Sequence, residues 1–174
     1  MRTEGSVGVL IRPARPRDAR ALHALWREVA AEGRWIRTRR VTRTVADVRR
    51  NARASWTGDG AYLVAESAGA VVGSLRIVRE GQDATSHVAT FGMFVAAAAR
   101  GRGVGAALLA EALRWAAEVG VRKVELSVYP DNEAARALYA RFGFAEEGRL
   151  VRHSQRPDGF VDEIMMGRWL GEDV

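Results

Sequence analysis

The sequence has no cysteine. Disulfides, thiolate metal sites and thiol catalysis are therefore excluded. Its three histidines, His23, His87 and His153, lie far apart and show no metal-ligand spacing, so no metal is expected. No apolar run approaches the roughly 18 residues a membrane helix needs. Residues 1–18 hold one apolar stretch, Val7 to Ile11, with arginine directly after it. That is too short for a signal peptide, and a cytoplasmic location is expected. Lysine is nearly absent: Lys123 is the single one among 27 basic residues, and the rest are arginine, a skew that accords with genomic base composition. The net charge of +6 also suits an acidic partner, either nucleic acid or a polyanionic cofactor. The densest basic cluster is Arg34, Arg37, Arg39, Arg40 and Arg43, with Trp35 its one aromatic. Lacking an aromatic ladder, it reads as a solvated surface rather than a nucleic-acid platform.

The chain has 174 residues, 48% of them apolar, which suits one domain over 1–174 with a real core. It shows no internal repeat and no low-complexity linker. Val7 to Ile11 reads as a strand. Asp18 is placed to cap a helix through Ala19 to Ala31, which Gly33 ends. Thr44 caps a second helix through about Ala54. Ala61 to Glu66, Val71 to Arg79 and His87 to Val95 read as an antiparallel meander. A helix over Ala106 to Val119 carries Leu108, Leu109, Ala112, Leu113 and Ala116 at spacings of three and four, and Gly120 caps it. Val121 to Tyr129 is a strand and Asn132 to Phe142 a helix. Phe144 to His153 and Phe160 to Trp169 close the chain as a hairpin around Pro157-Asp158-Gly159. The expected order is β-α-α-β-β-β-α-β-α-β-β, with a parallel crossover at the centre of a mixed sheet.

The stretch Arg100-Gly101-Arg102-Gly103-Val104-Gly105-Ala106 separates an apolar strand from a strong helix. Alternate glycines strip side chains from the loop, so its N–H groups can crowd an anion at the positive end of the helix dipole. This points to a phosphorylated ligand. Gly101, Gly103 and Ala106 also fit the dinucleotide pattern G-x-G-x-x-A, with Glu125 downstream. That pattern follows its strand at once, however, whereas Ala96 to Arg100 intervene here, and the unit lies behind an antiparallel meander. No Gly-Lys-Ser/Thr follows, so it is no Walker loop.

The chain resembles the GNAT superfamily of N-acetyltransferases. The family signature is a strand ending in L-x-V, then Arg/Gln-x-x-Gly-x-Gly/Ala opening a helix, then a second L-x-V strand, Asn, and A-x-x-L-Tyr-x-x-x-Gly-Phe. Here the first half is Met93-Phe94-Val95 and Arg100 to Gly105. The second half is Leu126-Ser127-Val128, Asn132, Ala135, Leu138, Tyr139, Gly143 and Phe144. The resemblance spans about residues 6 to 170. Ser86-His87-Val88-Ala89, Gly148 and Gly159-Phe160-Val161-Asp162 further resemble a bacterial subgroup that acetylates free amino acids and similar small amines.

The resemblance implies a GNAT fold, acetyl-CoA as cosubstrate, and transfer of acetyl to a primary amine by direct attack. Backbone amides of Arg100, Gly101, Arg102, Gly103, Val104, Gly105 and Ala106 would hold the pyrophosphate, with charge from Arg100 and Arg102. Main-chain groups of Met93 and Val95 would pair with the pantetheine arm, and one amide would polarise the thioester carbonyl. Asn132 is read both as an N-cap and as a cofactor contact. Tyr139 is the candidate acid beside the sulfur. With a tyrosine near 10 and a thiol near 8.5, full proton transfer is uphill by roughly 2 kcal/mol, so a hydrogen bond to the developing thiolate suffices. The base is left open among Glu28, Glu32, Asp162, His87 and a water relay. Some relatives that acetylate protein N-termini carry glutamate five residues before the asparagine; Ser127 stands there instead. Trp35 and Arg37 are placed to meet an aromatic or carboxylate-bearing substrate. A small-molecule amine is the expected acceptor, and a homodimer is compatible. The alternatives are a protein N-terminus or lysine as acceptor, an acyl-CoA-binding module without turnover, and a basic nucleic-acid binder.

Overall fold

The computed structural model describes residues 8–171; Val7, expected to open the first strand, lies outside them. Among the described residues, seven strands and four helices follow in the expected order. They are β1 (Val9–Pro13), α1 (Ala19–Ala31), α2 (Val45–Arg53), β2 (Gly60–Ser67), β3 (Ala70–Arg79), β4 (Val88–Val95), α3 (Val104–Glu118), β5 (Lys123–Val128), α4 (Glu133–Arg141), β6 (Ala145–Arg156) and β7 (Gly159–Trp169). Short 3-10 turns at Pro16–Asp18, Asp83–Thr85 and Ala97–Ala99 add to what the sequence pattern predicts. All seven strands form one sheet in the order β1-β2-β3-β4-β5-β7-β6. The β4–β5 pair is parallel and the other adjacent pairs are antiparallel.

Strand alternation divides the side chains between two layers. One face carries Leu63, Leu75, Ile77, Ala89, Val124, Leu126, Ile164 and Met166, and buries them with Leu108, Leu109 and Trp115 of α3 and Tyr139 of α4. The opposite face packs Val64 against Leu22 of α1 and Val48 and Ala52 of α2. Trp115 is fully buried and donates its indole N–H to Thr57 O at 2.8 Å, so its one polar atom is satisfied. Gly73 of β3 explains how α3 lies so close to the sheet. A Cβ there would meet Val104 Cγ1 at 3.0 Å and Leu108 Cδ1 at 3.2 Å.

Thr44 caps α2 as expected, accepting from the Asp47 N–H at 3.2 Å. Asp18 does not cap α1: its own backbone is already helical, and its carboxylate is used elsewhere. It accepts from the Arg15 N–H at 2.7 Å and takes both ends of the Arg12 guanidinium at 2.7 and 2.9 Å. Arg12 also reaches Glu66 of β2. With Arg12 and Asp18 11% and 7% exposed, this pair ties β1 to the entry of α1 inside the protein. Arg12 holds the Asp18 carboxyl below its usual value of 3.8. A depressed carboxylate stabilises the fold at pH above its unfolded value, and that contribution fades as pH falls through the lower folded one. Asp18→Asn is therefore expected to cost about 2 kcal/mol at pH 7. In urea titrations the gap to wild type should stay constant from pH 7 down to about 4 and close below that. A gap that persisted undiminished at pH 2 would contradict this account.

Candidate active site

The parallel pairing of β4 and β5 is short. It joins Val88, Ala89 and Thr90 to Lys123, Val124 and Glu125, and then stops. From Phe91 onward β4 stays paired with β3 on one side while its other edge parts from β5. The direction of the backbone groups follows from two hydrogen bonds. Glu80 N–H donates to Val88 O at 2.9 Å, and Ala96 N–H donates to Val72 O at 2.9 Å, both toward β3. No register shift separates the two ends of this ladder. By alternation the even-numbered residues of β4 turn their backbone to β3, and Phe91, Met93 and Val95 turn theirs into the gap. Sheet pairing that elsewhere satisfies N–H groups leaves these open to a ligand laid along the strand.

The glycine loop closes one end of the gap. Gly101 and Gly103 have φ of 73° and 82°, a left-handed conformation that a side chain resists. Gly103 is the N-cap of α3, which begins at Val104, two residues earlier than the apolar periodicity predicts. The first-turn N–H groups of this 15-residue helix therefore face outward beside the gap. Gly105 has a second reason to be glycine: a Cβ would lie 3.2 Å from Leu138 Cδ2 and 3.5 Å from Met93 Cε, where α3, α4 and β4 converge. Asn132 caps α4, its Oδ1 accepting from the Ala135 N–H at 3.3 Å.

A cavity of about 1300 Å³ occupies this gap and is lined by residues from both faces of the sheet. On the α3/α4 side its walls include Gly101, Gly103, Ala106, Asn132 and Tyr139; on the α1/α2 side they include Trp26, Trp35, Arg37, Arg76 and Glu163. Tyr139 projects from α4 into a cage of edge-to-face aromatic contacts, with Phe91 at 5.8 Å and Phe144 at 6.0 Å. Burial alone pushes its phenol up to about 12. The hydroxyl is therefore a proton-bearing donor throughout the physiological range.

Met93, Val95, Arg100, Gly101, Gly103, Val104, Gly105, Ala106, Asn132 and Tyr139 all line this one cavity. Arg102 does not; it borders a separate cavity of about 200 Å³ near Val9 and Val72. Arg100 contributes less free charge than its sequence position suggests. Its Nε donates to Val95 O at 3.0 Å and its two terminal nitrogens clasp Glu32 at 2.8 and 2.5 Å. The pair pins the loop to α1 and holds the Glu32 carboxyl below its usual range. None of the four side chains offered as a base lines the cavity. Glu32 is held by Arg100. Asp162 accepts the Arg152 N–H at 2.8 Å and secures a kink in β6. His87 packs edge-on against Trp169.

Two carboxylates do line it, Glu125 and Glu163. Glu125 is paired with Lys123 at 2.7 Å. Glu163 is 1% exposed, a buried acid on β7 that the sequence reading passed over. Its signal was strand phase: Ile164 and Met166 belong to the core face, so Glu163 and Met165 must point to the other one.

The family model for the acetyltransferase (GNAT) family matches residues 23–144. The chain belongs to this family. It is 36% identical over 107 residues to the L-amino acid N-acetyltransferase AaaT of Escherichia coli, a match covering 61% of this chain and 66% of that protein. It is 39% identical over 111 residues to the N-alpha-acetyltransferase RimI of Mycobacterium tuberculosis, covering 64% and 67%. The chain thus spans about two thirds of the length of each. Among solved structures it is similar to the phosphinothricin acetyltransferase Pat of Sinorhizobium meliloti in complex with acetyl-CoA. The TM-score is 0.86 at 22% identity, over 97% of this chain and 91% of that one. That likeness confirms the mixed seven-stranded architecture. No helix among the described residues is long and apolar enough to cross a membrane, and no cluster of metal-binding side chains occurs among them.

Proposed function

We propose that this chain transfers the acetyl group of acetyl-CoA to the primary amine of a small molecule, with amino acids the leading class. The observation that carries this reading is a cavity at the parting of β4 and β5, lined by main-chain donors on one side of the sheet and by arginines around two carboxylates on the other. The first side suits a polyanionic nucleotide. Outward N–H groups and left-handed glycines leave a stretch of bare backbone there. The open N–H groups of Met93 and Val95 suit an amide-bearing arm laid along β4.

Acetyl-CoA supplies an activated thioester carbonyl and a thiolate leaving group. The chain's own residues would do the rest. The amides of β4 orient that carbonyl and stabilise charge developing on its oxygen. The Tyr139 hydroxyl donates to the departing sulfur. On the other side Arg37, Arg39, Arg40, Arg43 and Arg76 line the cavity against Glu125 and Glu163. This excess of positive charge favours an acceptor that carries a carboxylate beside its amine and disfavours a basic peptide. The similarity to AaaT supports the same class.

Free-thiol release, measured over the twenty L-amino acids, alkylamines and peptides with free N-termini, tests the reading. The expected result is turnover concentrated on one or a few amino acids. Turnover on peptides alone would transfer the function to protein N-termini. No turnover on any amine, with acetyl-CoA bound, would leave a binding module.

A further inference from the structure

Glu163 is the one described acid whose buried carboxylate oxygen lacks a hydrogen bond, and it stands in the wall of the main cavity. Its Oε1 accepts from the Ser154 hydroxyl. Its Oε2 has no hydrogen-bond partner, and its nearest cation is Arg37 Nε at 3.8 Å, on a side chain 64% exposed. Buried carboxylates are ordinarily satisfied, because removing one from water without partners costs several kcal/mol. Despite burial, this carboxyl is held below its usual range by the hydroxyls of Ser154 and Ser127 and the charges of Arg37 and His153. It is an anion kept ready with one oxygen unspent.

Its position is also informative. Met165, two residues along β7, pairs with Ser127 of β5, at the edge where β5 parts from β4. Ser127 and Glu163 both line the cavity there, and Ser127 helps to hold Glu163 as an anion. Glu163 lies on the α1/α2 side of the sheet, opposite the glycine loop and Tyr139 layer, which leaves the gap between them for the reacting carbonyl.

We propose that Glu163 Oε2 receives the acceptor's amino group. This rests on the amine-acetylation reading. The oxygen accepts an N–H of the incoming ammonium and holds the nitrogen at the gap. The nitrogen must lose one proton before its lone pair can attack. As the C–N bond forms and the C–S bond breaks, it loses a second. The released sulfur takes up one of these two protons, and the other leaves to solvent past Glu163. Free carboxylates and alkylammoniums differ by about six pKa units, so Glu163 does not strip a resting ammonium; it holds and orients the charged amine at the gap while water carries the proton away.

The test uses the full chain and whichever amine of the panel wild type turns over best. Glu163→Gln keeps shape and the Ser154 contact but removes the charge. The expected result is a fall in kcat/KM of about 30-fold, with acetyl-CoA affinity unchanged by calorimetry. Calorimetric affinity for the amine in the presence of coenzyme A should fall about tenfold. Glu163→Asp should recover part of both losses. With O-methylhydroxylamine, uncharged at neutral pH, the deficit of the glutamine variant should shrink to within about threefold, which a merely structural role would not produce. Wild-type kinetics in Glu163→Gln would overturn the assignment and leave the acetyltransferase reading intact. An equal loss with the charged and the uncharged amine would overturn it too. Should wild type itself acetylate no amine, both readings fall together.

Discussion

Replacing Tyr139 by phenylalanine is expected to lower kcat about 100-fold while the dissociation constant for acetyl-CoA stays within about twofold. The ring is what packs: it fills the aromatic cage with Phe91 and Phe144, and phenylalanine keeps that contact. The hydroxyl is what acts. With the phenol pushed up to about 12, full proton transfer to a thiolate near 8.5 would cost roughly 5 kcal/mol, more than the 2 kcal/mol of an unperturbed tyrosine. Burial thus makes Tyr139 a hydrogen-bond donor that stabilises the sulfur as charge builds. The linkage has a clear sign. A phenol raised by burial keeps its proton, and its share of stability, below pH 10, losing both as pH rises through about 12. Wild type and Tyr139→Phe should therefore share one alkaline limb in their kcat profiles up to pH 10. An unchanged kcat in the variant would remove Tyr139 from the mechanism.

Gly103→Val is expected to weaken acetyl-CoA binding about 100-fold, a loss near 2.7 kcal/mol. Two effects combine. A β-branched residue at φ 82° resists the left-handed conformation, at a cost of about 1–2 kcal/mol. Relieving it rotates the amides that begin α3, and the new side chain crowds the cradle. Because the loop is exposed and the core beneath α3 is untouched, the melting temperature should move only a few degrees. Calorimetry separates the two effects: retained affinity in a folded variant would show that the loop does not carry the pyrophosphate.

The fold was legible wherever one physical signal dominated. The apolar rows of α3, the alternation of Val124, Leu126 and Val128, and the glycines after α1, α3 and α4 all acted as their local chemistry dictates. What escaped was set by distant partners. Asp18 looks like a cap until Arg12 claims it, and Arg100 looks free until Glu32, 68 residues earlier, closes on it. The strand read over Val121 to Tyr129 begins only at Lys123, because the Arg122 and Lys123 N–H groups share the His87 carbonyl as β5 meets β4. At the site the backbone donors were readable, since glycine spacing and helix polarity are local. Glu163 was not, because an acid inside Val161 to Met166 can face either side, and only the packing of Ile164 and Met166 fixes the phase.

A crystal structure of the complex with acetyl-CoA decides whether the glycine loop holds the nucleotide. The diphosphate is expected on the amides of residues 101–106, the pantetheine arm between β4 and β5 bonded to Met93 and Val95, and the sulfur beside the Tyr139 hydroxyl. A nucleotide seated elsewhere, or β4 and β5 zipped shut along their full length, would contradict that assignment.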